Sequence, residues 1–500
     1  MGLIQEKFFV QFWGLLGGLA ALLIWYLPWR FQVNDDEVMM WLVSGAYTGS
    51  PESYAVFLHP LLSWGFSLLY KFAPGVLWYP LVWFTLTYLS FLVSVTQVKK
   101  KLGATLSAQI WALFLFALYA HFLFFLQFSI VSGFAVFSGL IARFGNPAEQ
   151  NDRYSRLHRT DLLILFGFLV RPEVLFLFLA GATCINVLVF KHTFLYKRSA
   201  VPLLLGCIGY GISILWIANA DLSNFEQLNR QRSGVFDHPT LQLNKEAFRA
   251  RNPELYFFSH GMIDFGSDAK LVEKLPIWKK ELDNMRWDWI SPDAVLKSFW
   301  TYVQHEHFLL ALMAVFFAFS LLVDWSKSVR IAAVLAFGML ALSPFFLIKV
   351  QIYALVFLIF MMIVFCFFSN RFHRLGADFL FISVLVVGIA FHFYAFFHSA
   401  GNWVPVENLK SMLDRLRQDG YDEVFVVGPS NLYSDLLFEP APGFKVLGWP
   451  TLLEKCKGVP PSLGRAYLVD SATYNYNKAY FNNEELLGYQ SGLYLLVSKQ

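Results

Sequence analysis

The chain has 500 residues, of which 57% are hydrophobic and only 15% charged. Ordinary soluble proteins run nearer about 45–50% and about 25%. Length alone would allow several soluble domains, and composition excludes them. The formal net charge of +4 is too small to imply a polyanionic partner. Disorder, a collagen-like fibre, a disulfide-rich mini-protein and a nucleic-acid binder are excluded as well. The expected fold class is mainly α: a polytopic membrane protein.

The first apolar run, near 8–29, is too long for a signal-peptide core and lacks a small-residue cleavage site, so it reads as an uncleaved first helix. Further spans are expected near 75–98, 105–126, 128–143, 161–170, 174–190, 199–219, 301–323, 330–348, 350–369 and 376–397. That makes about eleven, with 161–170 plainly short for the roughly 20 residues of a spanning helix. The stretch from Ala104 to Ala142 contains no Asp, Glu, Lys or Arg. The four cysteines, Cys184, Cys207, Cys366 and Cys456, fall mostly within apolar runs, which argues against a disulfide framework.

Basic residues orient the spans. With the N-terminus in the cytoplasm, the inner loops collect Lys7, Lys99–Lys101, Arg143, Arg153, Arg156, Arg159, Lys191, Lys197, Arg198, Lys327, Arg330, Arg371 and Arg374. The short outer loops keep only Arg30, Lys71, Arg171 and Lys349. The same pattern resolves the stretch 55–73. Read as a span it would invert everything after it, so it is expected as an amphipathic helix along the outer surface, with Leu58, Leu61, Leu62, Phe66, Leu69 and Tyr70 at helical spacing.

Two soluble pieces then fall outside. The unit 1–399 holds the transmembrane helices, a first outer loop 30–74 and a large outer loop 220–300. Residues 400–500 read as a small extracytoplasmic α/β domain. Leu409, Met412, Leu413 and Leu416 form a helical stripe ending at Gly420, followed by strand-like runs at 423–427, 445–447, 466–469 and 493–497. No Gly-rich phosphate fingerprint follows these strands. The chain shows no internal repeat, which speaks against an inverted-repeat transporter.

Chemistry concentrates in two places. Asn34-Asp35-Asp36-Glu37 opens the first outer loop. Asn34 as N-cap with Glu37 at N3 would serve a helix start. Three successive acids exceed what that requires, and a carboxylate beside the membrane surface also suits a general base for a lipid-anchored phosphate ester. The second place is Arg171-Pro172-Glu173, inside the apolar stretch 162–190. A charge pair there is a functional-site candidate by default, and Pro172 breaks the helix. The pair either staples two half-helices or presents Arg171 to a phosphate, with Glu173 orienting it.

Other residues weigh less. His59 opens the surface helix as an interfacial polar residue or a substrate contact. Lys349 snorkels or supplies a second cation, with Tyr353 nearby as a substrate-binding candidate. His305-Glu306-His307 is a poor metal motif, because residues two apart do not share a helix face. Arg230 and Arg232 read as solvated charges. No metal and no cofactor is expected.

Together these features resemble the GT-C superfamily of integral-membrane glycosyltransferases. The resemblance lies in the acidic motif Asp35-Asp36-Glu37 after the first helix, and in the surface helix opening on His59-Pro60-Leu61. It lies also in the basic loop Lys99–Lys101 after the second span, the Arg171-Pro172-Glu173 step, and an external C-terminal domain. The resemblance implies a hexosyltransferase acting with inversion. Its donor would be a sugar, mannose among the choices, on a polyprenyl phosphate. Its acceptor would be a hydroxyl of a glycolipid, lipid-linked glycan or protein, reached in cell-envelope glycan synthesis at the outer face of a bacterial inner membrane. It aligns Asp36 with the family's catalytic Asp and leaves Asp35 as the alternative bearer of that role. The competing reading is a transporter or flippase for lipid-linked sugars. It leaves the three acids and the outer soluble pieces unexplained.

Overall fold

The computed structural model describes residues 8–27, 29–144, 159–185, 194–220, 222–252, 264–265, 269–321, 351–367, 375–400, 409–428, 432, 436–438, 443–458, 465–478, 480–490 and 492–498. Helices dominate. Among the described residues, four segments are long and apolar enough to cross a bilayer: Trp78–Leu102 (α4), Leu106–Phe124 (α5), Ala200–Asn219 and Asp378–Ser399. The last two are parts of the helices Phe194–Asn219 and Leu375–Ala400. Shorter apolar helices join them: Phe9–Trp25 (α1), Phe128–Phe144 (α6), Asp161–Val170 (α7), Pro172–Ile185 (α8) and, after the long helix Phe194–Asn219 (α9), His307–Leu321. The expected span at 330–348 lies outside the described residues. The expected span 301–323 is not continuous. A helix ends at His305, Glu306 intervenes, and the apolar helix begins at His307.

Small residues let these helices approach closely, as packing in lipid favours. On α6, Ser138 Oγ lies 2.9 Å from Ser94 Oγ of α4 and donates to the Ser90 carbonyl. A Cβ added at Gly167 of α7 would meet Val136 Cγ2 at 2.7 Å and the Ser132 carbonyl oxygen at 2.9 Å. Ser132 Oγ donates to the Gly167 carbonyl at 2.6 Å across that crossing. At the opposite end of the same helix pair, Arg143 and Asp161 form a buried ion pair at 2.7 Å.

One end of the bundle carries the first loop. Arg30–Phe31 (β1) pairs in parallel with Phe125–Leu126 (β2), the link between α5 and α6. The Gln32 N–H donates to the Leu126 carbonyl at 2.9 Å. Asn34–Ser44 (α2) and Pro60–Phe72 (α3) follow. Helix α2 departs from expectation at its first residue. Val33 occupies the cap position in extended backbone, and Asn34 is already helical, with no side-chain cap.

The insert between α9 and the next apolar helix is helical too. It comprises Ser223–Phe236 (α10), Pro239–Leu243 (α11), Lys245–Arg251 (α12), Ala269–Trp289 (α13) and Pro292–His305 (α14), leading into His307–Leu321 (α15). After Gln351–Phe367 (α16) and Leu375–Ala400 (α17), the chain forms the helix Leu409–Gln418 (α18). A five-stranded sheet follows, built from Val424–Val427 (β3), Phe444–Lys445 (β4), Ala466–Asp470 (β5), Glu484–Gln490 (β6) and Leu493–Ser498 (β7), in the order β4-β3-β5-β7-β6. Its first three strands run parallel, and β7 reverses against β5 and β6. Strand β6 is absent from the sequence reading.

Candidate active site

Helix α2 is short, and its first turn carries three acids whose surroundings differ. Asp36 is 0% exposed. Tyr79 Oη donates to its Oδ1 at 2.7 Å, Trp83 Nε1 donates to the same oxygen at 3.3 Å, and the Phe128 N–H donates to Oδ2 at 3.1 Å. These donors come from α4 and from the first residue of α6, which the β1–β2 pairing brings alongside. Burial raises the Asp36 carboxyl to about 7, against the pull of the bonds from Tyr79, Phe128 and Trp83. Glu37 is also buried. Asp35 is only half-buried, and its Oδ1 accepts from Trp449 Nε1 at 2.8 Å. Of the three acids, Asp35 is the one a substrate hydroxyl can reach without unpacking α2.

Arg171 is the single residue between α7 and α8. Its backbone is extended, with φ −152° and ψ 102°. Pro172 fills the first position of α8, where its missing N–H costs nothing. The Arg171 guanidinium donates to Ser129 Oγ. It sits 5.0 Å from the centre of the Phe128 ring and 3.7 Å from Glu173. Glu173 is 73% exposed at its side chain, against 33% for Arg171.

Phe128 therefore joins the two constellations, its amide on Asp36 and its ring under Arg171. The connection continues around the site. Phe57 stacks on Phe128 at 6.1 Å and meets Trp449 edge-on at 5.4 Å, and Trp449 holds Asp35. Trp449 begins a 3₁₀ turn, Trp449–Leu452, which packs against α10.

Helix α10 corrects one reading. Arg230 is exposed and lies 3.8 Å from Glu226, as a surface charge should. Arg232 is only partly exposed. Its Nε donates to Asn229 Oδ1 at 2.9 Å. Burial lowers its pKa, and the negative charges of Asp237 and Asp35 act against that. Arg232, Trp449 and Phe128 are the members of this neighbourhood that the sequence did not single out. Only a fold that brings residues 128, 232 and 449 to one place reveals them.

The remaining candidates lie elsewhere. His59 caps α3 through Nδ1, which accepts from the Leu61 N–H at 3.2 Å, and its Nε2–H donates to the Gly209 carbonyl at 2.9 Å. Both ring nitrogens thus serve structure. Tyr353 is buried within α16. Lys349 lies outside the described residues. Glu306 is drawn to a different partner than a metal: its carboxylate accepts from Gln32 Nε2 and lies 3.4 Å from His121 Nε2. His121 Nδ1 is in turn 3.1 Å from His392 Nε2. The two nitrogens of His121 point to different partners, so these groups form a chain and not a cage. Among the described residues no group of His, Cys, Asp and Glu is placed to hold a metal ion.

No protein-family model matches this sequence, and no curated protein matches it. Among solved structures, the chain is similar to ArnT from Cupriavidus metallidurans, whose crystal structure has undecaprenyl phosphate bound. The two share 13% identity over 97% of this chain and 98% of that one, with a TM-score of 0.47. A likeness of that degree spans the whole chain but decides neither the activity nor the site.

Proposed function

We propose that this chain is a membrane glycosyltransferase. It moves a hexose, for which mannose is the first to test, from a polyprenyl-phosphate donor to a hydroxyl of a glycolipid, lipid-linked glycan or protein. The observation that carries the reading is the joining of Asp35, Asp36 and Arg171 around Phe128, Phe57 and Trp449 at one end of an apolar bundle. The acceptor oxygen attacks the anomeric carbon as the bond from that carbon to the phosphate oxygen breaks, inverting the centre. The acceptor's proton passes to the Asp35 carboxylate, the accessible acid. The phosphate leaves ionised, so no general acid is needed. Arg171, with Ser129 and Glu173 around it, stabilises the charge gathering on the phosphate. Asp36 ties the acidic turn to α4 and α6. Lys349 remains a candidate second cation.

The test uses purified protein, a synthetic polyprenyl-phosphate hexose and lipid-linked glycan acceptors. Mass spectrometry of lipid-linked glycans in cells lacking the protein supplies the acceptor. Asp35→Asn is expected to lower turnover by at least about 10²-fold with unchanged thermal stability, the scale of a lost general base. Arg171→Ala is expected to weaken binding of polyprenyl phosphate and leave acceptor binding alone. Full transfer by Asp35→Asn would move the base to Asp36. Donor binding without any transfer by the parent protein would replace this reading with carriage of a lipid-linked sugar.

A further inference from the structure

The insert 223–305 presents an exposed apolar face. In α14, the small residues Ala294 and Ser298 face inward and are buried. The large apolar ones face outward: Leu296 is 67% exposed, Phe299 47% and Trp300 60%. On a helix these three fall on one side, spaced i, i+3 and i+4. The polar flank carries Asp293 and Lys297, paired at 3.3 Å. Trp287 and Ile290, at the elbow between α13 and α14, are exposed as well. An amphipathic helix in water packs its apolar stripe inward; α14 does the reverse.

Three observations identify the occupant. First, α14 continues, with only Glu306 between, into the apolar α15, so its exposed face is continuous with the lipid-facing part of the bundle. Second, α3 repeats the arrangement at the same end of the molecule. Its Leu61, Trp64, Leu68 and Phe72 are all exposed, while Leu62, Phe66 and Tyr70 are buried. Third, exposed tryptophans stand in both helices, and tryptophan concentrates where hydrocarbon meets water.

We propose that α14 and the α13–α14 elbow lie in the bilayer interface, in the leaflet on the side of the first loop and the C-terminal sheet. Leu296, Phe299 and Trp300 sink into the acyl boundary. Since Asp293 and Lys297 cancel, the attraction is burial of apolar area and not charge, so it is indifferent to anionic lipid. Glu306 directly follows this helix and accepts from Gln32, two residues after β1 begins. The depth of α14 in the leaflet therefore fixes the height of the acidic turn above the membrane.

Full-length protein with its four cysteines replaced by serine tests this in nanodiscs. Variants Leu296→Cys, Phe299→Cys and Lys297→Cys carry an environment-sensitive fluorophore, and the melting temperature of each is matched to the unlabelled parent. Labels at 296 and 299 are expected to be quenched several-fold more by a nitroxide high on the lipid acyl chain than by aqueous iodide, with the reverse at 297. The pattern is expected to be the same in zwitterionic and phosphatidylglycerol-containing discs. Equal behaviour at 296 and 297 overturns the proposal. So does shielding of 296 from both quenchers, which would mean that a protein covers the face, and so does lipid quenching that appears only with phosphatidylglycerol.

Discussion

Asp36 sets burial against charge within one side chain. It has lost its water, and three donors replace it, yet the loss of solvent outweighs them and its carboxyl titrates near 7 instead of 3.8. An acid raised in this way binds a proton in the folded protein that it releases when unfolded. Between pH 3.8 and about 7 the folded state holds more protons, so stability falls as pH rises through that window and levels off above it. A shift of this size corresponds to on the order of 4 kcal/mol across the window. Asp36→Asn removes the titration. Its thermal unfolding in detergent is expected to lack the decline between pH 5 and pH 7.5 (about 2.5 pH units) that is expected of the parent. It is also expected to be less stable than the parent at low pH, because an amide nitrogen meets one of the donors head-on. A parent melting temperature that is flat over this range would remove Asp36 from the titrating groups.

At the scale of elements, the crossing of α6 and α7 decides where Arg171 stands, because Arg171 directly follows α7 and bonds to Ser129 on α6. Gly167 permits that crossing. Gly167→Val would drive a branched side chain into Val136 and the Ser132 carbonyl, an overpacking that costs about 1–3 kcal/mol. Thermal unfolding in detergent checks it, with Gly211→Ala, which meets nothing within 4 Å, expected to lose no stability. Much at this scale is legible in the sequence. Apolar runs place the helices, and Pro172 marks the break because its ring cannot continue a helix. The interruption at Glu306 was hidden, since one acid within an apolar run leaves periodicity almost intact. So was β6, whose Glu484-Glu485 start and Gly488 carry no alternation. The pairing of β1 with β2 was also hidden, because two residues are too few to show a period and their partners are far along the chain.

Over the whole molecule, the C-terminal sheet is fastened to the first loop. Trp41 Nε1 donates to the Leu437 carbonyl at 2.7 Å, and Tyr47 Oη both donates to the Val446 carbonyl and accepts from the Val446 N–H. The insert 223–305 joins the same assembly. Asp264 pairs with Arg465, and the Phe265 N–H donates to Thr451 Oγ1 at 2.9 Å. Contacts between positions some 400 residues apart leave no trace in local patterning, so the placement of Trp449 on Asp35 could not be read beforehand. If Asp35 is the base, that indole is a positioning residue: it holds one carboxylate oxygen and leaves the other to the acceptor. Trp449→Phe keeps the ring against Phe57 and removes only the donor. Loss of a group that positions the base is expected to lower kcat at least about tenfold while donor KM stays near the parent value. In the Asp35→Asn background the same change should cost almost no further activity, because the base that the indole positions is already gone. Additive losses in the double variant would show that Trp449 acts through packing of the C-terminal sheet and not through Asp35, and the sheet would then be a brace for the first loop with no hold on the acid itself.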